Sequence, residues 1–251
     1  MKLITIDFWN TLFNAESADI RNYSRNKILI TTLNDLGINI DKNNFDIVLK
    51  KSWEYYNNCW INECRTPSAS EILNFIWEKM NFAEGTNKEN NDKAFKYIVD
   101  FFENTILIFP PDLEPGAKEA IIKLSNKYKL AIVSDTGFSP GKIVDKLLTN
   151  LDIKKYFSAY SYSDQTGVAK PHPNAWNTIL TSLNIPTNQS LHIGDIDRTD
   201  IDGAKSIGMK AIRYDGNLDK NLIHLRHSNS KADFIANSWN EIVAYIENNY
   251  C

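Results

Sequence analysis

The sequence is short of the residues that staple a chain or carry it into unusual company. It has only 3 cysteines and 4 histidines in 251 residues. Cys59, Cys64 and Cys251 cannot all pair with one another, and no Cys/His cluster has the spacing of a zinc site, so free thiols in a reducing compartment are expected. No apolar run approaches the ~20 residues a membrane helix needs. The N-terminal run is interrupted by Asp7 and lacks a small-residue cleavage site, which argues against a secretory signal. Neither charge sign dominates: 28 Lys+Arg stand against 31 Asp+Glu, a net −3. That balance provides no electrostatic reason for a nucleic-acid or membrane-surface partner. With 10 Gly and 8 Pro, the chain is neither collagenous nor low-complexity. The expectation is a cytoplasmic protein without nucleic-acid or membrane partners, its oligomeric state open.

What is present is an ordinary globular composition, 43% hydrophobic, 12% aromatic and 24% charged. Short apolar runs read as buried strands at Lys2–Asp7, Lys129–Ser134, Ser158–Ser161, Ser190–Gly194, Lys210–Tyr214 and Asp233–Ala236. Helical patterns at Pro115–Tyr128, Pro140–Asn150, Pro173–Asn184 and Asp200–Ile207 alternate with the later runs. This predicts an α/β fold, a Rossmann-like doubly wound parallel sheet with helices on both faces. Ligands of such sheets bind at the carboxyl ends of the strands.

Between the first strand and the rest, the alternation stops. Helical patterns at Ile28–Leu36, Phe45–Cys59, Ser70–Met80 and Ala94–Phe102 predict an all-helical insert. Thr66-Pro67-Ser68 is a helix-start signal within it, Glu84–Lys93 reads as an exposed loop, and Phe109-Pro110-Pro111 closes it. The predicted organisation is a discontinuous core, 1–14 and 112–251, with an inserted helical domain at 15–111.

Four places at strand ends carry chemistry-bearing residues: Asp7 in Ile6-Asp7-Phe8-Trp9-Asn10-Thr11, Ser134 after Ala131-Ile132-Val133, Lys170 before Pro171, and Asp195 after Gly194 with Asp200 following. Each alone has a bland reading as a turn former, helix cap or solvated side chain. Together, in this order, they resemble the motifs of the haloacid dehalogenase superfamily, whose members are mostly phosphatases and phosphotransferases. The resemblance covers nearly the whole chain, and Gly194-Asp195 to Gly208 is its most specific stretch. It implies Asp7 as nucleophile, with Ser134 and Lys170 as the other catalytic residues, and it marks the insert as a cap. Magnesium is the implied cofactor, with Asp7, Asp195, Asp200 and the Trp9 carbonyl as its ligands. The physics agrees: an attacking carboxylate and a phosphate repel unless a cation lies between them, and Mg²⁺ prefers oxygen ligands.

Within the first motif the resemblance fails at one position. Where family phosphatases carry an acid/base Asp, this chain has Trp9, which cannot exchange a proton at neutral pH. The leading expectation remains a Mg²⁺-dependent phosphatase or phosphotransferase acting on a small phosphorylated metabolite through an aspartyl-phosphate at Asp7. Asp197, His172 or a residue of the helical insert could stand in as acid, on proximity to the motifs alone. Two alternatives stay open: a 2-haloacid dehalogenase-like C–halogen hydrolase, whose halide needs no acid, and a catalytically weak binder of a phospho-ligand or protein. Trp9, Asn10, Asp135 and Arg65 are the candidate substrate contacts, Arg65 being the insert's candidate for an anionic group. Trp53, Tyr56 and Trp60 fall at helical spacing and are expected to form cap core. His192, inside a strand, is expected to be a satisfied core residue.

Overall fold

The computed structural model describes residues 1–80, 82, 88–217 and 222–250. Six strands form one all-parallel sheet: β1 (Leu3–Ile6), β2 (Lys129–Ser134), β3 (Phe157–Tyr162), β4 (Ser190–Gly194), β5 (Lys210–Tyr214) and β6 (Phe234–Ala236). Their order across the sheet is β3-β2-β1-β4-β5-β6. All six predicted runs are strands: β1 and β4, inside the sheet, are buried throughout and mainly apolar, whereas β3 and β6, at its two edges, are partly exposed.

Helices cover both faces. Ile4 and Ile6 point into the layer built by α5 (Ala117–Ser125), α6 (Gly141–Asn150) and α10 (Trp239–Tyr250), which follows β6. Leu3 points the other way, toward α8 (Asn174–Leu183) and α9 (Asp202–Ser206). Burial of the two layers in opposite directions from alternating residues is the period-two geometry of a strand. A short α7 (Ser163–Thr166) leads out of β3.

The chain leaves the sheet after β1 and returns before α5. The excursion forms four helices: α1 (Ala18–Asp35), α2 (Lys42–Asn62), α3 (Ala69–Lys79) and α4 (Lys88–Ile108). They share a core of their own, including Leu29, Leu33, Phe45, Leu73 and Phe102. Two starts follow side-chain caps. Asp41 accepts from the Asn43 amide at 3.0 Å, and Ser68 from the Glu71 amide at 3.1 Å. α4 ends at Ile108, just before Phe109-Pro110-Pro111.

Two expectations are corrected here. The first helix begins at Ala18, ten residues before the apolar pattern does, because its buried stripe is Arg21, Arg25, Leu29 and Leu33. Two arginines hold positions that an apolar count skips. In the polar run at Glu84–Lys93, residues 84–87 lie outside the described residues, but Lys88 onward is helix rather than loop. Likewise the segment after β4 starts as a π-helical turn, Asp197–Ile201, before α9. Among the described residues, no helix is long and apolar enough to cross a membrane.

Candidate active site

Strand register brings the motif residues together. Ile6 pairs with Ile132 on β2 and with Ile193 on β4. Asp7, Ser134 and Asp195 thus lie one or two residues beyond the same rung, at the carboxyl edge. The chain runs outward from β1 through β2 and β3 on one side and through β4, β5 and β6 on the other, so this edge is the sheet's switch point, where a crevice opens.

Asp7, Asp195 and Asp200 are all buried, and one carboxylate oxygen from each lies within 4.8 Å of the others. Gly194 permits this crowding, since a Cβ there would meet Asp200 Cγ at 2.3 Å. Lys170 donates to Asp7 Oδ1 and, at 2.6 Å, to Asp200 Oδ1. His192 Nε2 lies 3.0 Å from that same Asp200 oxygen, while its Nδ1 meets Thr5 Oγ1 at 2.8 Å. His192 is thus a satisfied core histidine that also orients Asp200. The other Asp200 oxygen accepts from the Ile196 amide at 3.1 Å and from Thr199 Oγ1 at 3.0 Å. Lys170, followed by His192, holds the Asp200 carboxylate well below the usual range despite its burial. Burial has the opposite outcome at the other two. It lifts Asp7 to about 7, with Lys170 opposing, and raises Asp195 well above the usual range, with Asp200 and Asp7 adding to it. Lys170 is pushed up, its own burial outweighed by Asp200, Asp7 and Asp135.

The donor set fits a divalent cation. Asp195 has as its charged partner among the described residues only Arg226, at 3.5 Å. Three converging buried carboxylates faced by two cations, Lys170 and Arg226, leave negative charge that hard, oxygen-preferring Mg²⁺ would neutralise. Asp7 and Asp195 offer free oxygens, whereas both Asp200 oxygens already accept hydrogen bonds. Ser134 Oγ and Asn10 Oδ1 are buried and, among the described residues, without a hydrogen-bond partner. Asn10 takes a left-handed φ of 53°, folding the turn after Asp7 back so that its amide donates to Phe13 O at 2.7 Å.

A cavity of about 320 Å³ opens above this cluster, between the sheet edge and the helical insert. Asp135 bridges the two layers: one oxygen accepts from the Lys170 amide at 2.9 Å, the other from Trp60 Nε1 at 2.9 Å. Trp53, Tyr56 and Trp60 face this cavity, which corrects their expected role as cap core alone. Trp53 packs on Phe138 at 5.4 Å, from the loop after β2.

Trp9 occupies the position beside Asp7 and is flanked on both sides. Its ring meets Phe8 edge-on at 4.9 Å, and the Arg21 guanidinium lies over it at 5.3 Å. Neither expected substitute acid comes close. Asp197 is turned away, held by Arg213 at 2.6 Å, by the His227 amide at 2.7 Å and by Ser230. His172 Nδ1 accepts from the Asn174 amide at 3.2 Å and does not line the cavity. Arg65 is the clearest misplacement. It lies outside the cavity lining, paired with Glu63 at 2.8 Å and Glu71 at 2.9 Å and donating to Cys59 Sγ at 3.1 Å. The insert's cations facing the cavity are instead Arg21 and Arg25, which the sequence reading passed over. Their four-residue spacing ahead of Leu29 and Leu33 was the available signal.

The comparisons with known proteins agree with this architecture. A family model described as haloacid dehalogenase-like hydrolase matches residues 43–214. A glyceraldehyde 3-phosphate phosphatase of Pyrococcus abyssi is 37% identical over 101 residues, 40% of this chain and 41% of the relative. A phosphoglycolate phosphatase of Pseudomonas fluorescens is 30% identical over 99 residues, 39% of this chain and 35% of the relative. The chain thus spans less than half the length of either of these curated relatives. Among solved structures, the fold is shared with a 2-haloacid dehalogenase of Pseudomonas syringae (TM-score 0.71, 16% identity, 99% of both chains). It is shared also with a phosphatase of Thermococcus onnurineus (TM-score 0.65, 20% identity, 98% of both chains).

Proposed function

The chain belongs to the haloacid dehalogenase-like hydrolases, and from that premise we propose that it is a magnesium-dependent phosphatase or phosphotransferase of small phosphorylated metabolites. The observation that carries this reading is the convergence of Asp7, Asp195 and Asp200 within 4.8 Å beside Lys170. A haloacid dehalogenase needs no such excess of buried negative charge, which would repel an anionic haloacid. Relatives named as phosphatases support the same choice.

In this mechanism Asp7 and Asp195, with the Trp9 carbonyl, would hold Mg²⁺, and Asp200 holds Lys170. When bound, the ion supplies neutralisation of the phosphoryl oxygens facing the carboxylates. Asp7 attacks phosphorus in line, forming an aspartyl-phosphate as the leaving oxygen departs and takes its proton from solvent, and water then cleaves that acyl phosphate, releasing inorganic phosphate and restoring the Asp7 carboxylate. Lys170 balances charge on the nucleophile and the phosphoryl group, and Ser134 Oγ donates to a phosphoryl oxygen. Trp9 gives no proton to the leaving oxygen, so substrates with good leaving groups are favoured. We take residues 15–111 as the cap that closes the cavity and selects the substrate.

Asp7→Asn tests the reading: turnover of an aryl phosphate such as 4-nitrophenyl phosphate should vanish while the circular dichroism spectrum persists. Unchanged hydrolysis would remove Asp7 as nucleophile. One observation favours a second reading, C–halogen hydrolysis: the aromatic Trp9 stands where an acid is absent. Halide release from a 2-haloacid, surviving exhaustive chelation, would establish it instead.

A further inference from the structure

Arg21 and Arg25 stand out because their charges have no counterpart. They are only 4% and 7% exposed, yet among the described residues neither forms an ion pair with any carboxylate. Arg21 donates to Ser17 Oγ and, at 3.2 Å, to Phe109 O. Arg25 donates to Asn22 Oδ1 at 3.3 Å and to Phe102 O at 3.3 Å, and its Nε is buried without a partner. Aromatic faces lie against both guanidinium groups: Trp9 beneath Arg21 at 5.3 Å, and Phe138 and Phe102 beneath Arg25 at 4.7 and 6.0 Å. Burial, and then the adjacent Arg21, pulls Arg25 down to about 9, as expected of a guanidinium desolvated without an anion.

A buried cation is ordinarily paired, and guanidinium pairs best with carboxylate or phosphate. Both arginines line the same cavity as Asp7, Lys170 and Asp195. Arg21 sits over the ring of Trp9, two residues from the nucleophile. We infer that Arg21 and Arg25 form an anion subsite of the cap, and that the substrate carries a second anionic group, carboxylate or phosphate, a few atoms from its phosphoryl group. This deepens the phosphatase reading and rests on it for the phosphoryl end alone. It also explains Trp9: the position lost as an acid serves as the platform on which Arg21 lies.

Calorimetric titration with Mg²⁺ present tests the subsite independently of turnover. The probes are 3-phosphoglycerate against glycerol 3-phosphate for a carboxylate, and fructose 1,6-bisphosphate against fructose 6-phosphate for a second phosphate. Charge-assisted hydrogen bonds to two arginines should favour one doubly anionic partner by about tenfold or more in Kd. Arg21→Gln should cut that preference to about twofold, and Arg25→Gln likewise. Arg25→Lys, which keeps the charge at the buried position, should retain part of it, and thermal melts of each variant confirm the fold. The member of the doubly anionic pair that gains identifies the group. Equal affinity within both pairs for the unmodified protein, or a preference that survives in all folded variants, overturns the inference. A preference without any phosphate release would leave the subsite standing and overturn the phosphatase reading instead.

Discussion

Lys170 Nζ lies 2.6 Å from Asp200 Oδ1 and also donates to Asp7, so a single buried ammonium joins the carboxylate proposed to attack to one that only steadies. Asp200 is saturated by donors, and Asp7 is not. That asymmetry separates two acids that look alike in the sequence.

Removing this ammonium should be costly to the fold. Lys170→Met leaves Asp7 and Asp200 buried and facing one another, and breaking a buried pair by deleting one partner costs about 3–5 kcal/mol. Chemical denaturation should show a loss of that order, larger in EDTA than in Mg²⁺. Aryl-phosphate turnover should be lost as well.

Mg²⁺ should stabilise the protein as well as activate it. A ligand that binds only the folded state at 100 times its Kd adds about 2.7 kcal/mol. The melting temperature is expected to rise on titration with MgCl₂ and to fall back with EDTA, together with activity. Asp195→Asn should abolish the Mg²⁺-dependent shift; a shift of wild-type size in that variant would exclude Asp195 as a ligand.

Trp9 should show itself in the leaving group. General acid help is worth about 10²- to 10⁴-fold, and its absence penalises alkyl esters most. Comparing kcat/KM for aryl, acyl and alkyl phosphates should give a steep dependence on leaving-group pKa. Trp9→Asp should not simply restore alkyl turnover, because the new carboxylate would sit under Arg21 and pair with it. A shallow dependence in the unmodified protein would place an acid elsewhere.

Arg65 is expected to matter little to the substrate. Its pairs with Glu63 and Glu71 are about one-third exposed, and such pairs contribute about 0.2–1 kcal/mol. Arg65→Ala should lower stability by no more than that and leave KM within about twofold; a tenfold rise in KM would return Arg65 to the cavity.

Legibility followed the physics of each element. The six strands could be read because a doubly covered parallel sheet demands short uninterrupted apolar runs, and KLITID, KLAIVS and SLHIG meet that demand locally. The start of α1 could not, because Arg21 and Arg25 take core-facing positions that apolar periodicity does not count. Trp53 and Trp60 have the spacing of core residues, and only the closure of the insert over the sheet turns them toward a cavity.

By itself the sequence determined the strand order along the chain, the acids at strand ends and an indole rather than a carboxylate at Trp9, since each depends on residue type at a local position. Tertiary structure alone decided which charges meet. It tied Arg65 to Glu71, turned Asp197 toward Arg213, and, among the described residues, left Arg21 and Arg25 lining the cavity of Asp7 without a carboxylate partner. Charge pairing acts over a few ångströms of space, and residues six or more positions apart, such as Arg65 and Glu71 or Asp197 and Arg213, reach that distance only when the chain has folded.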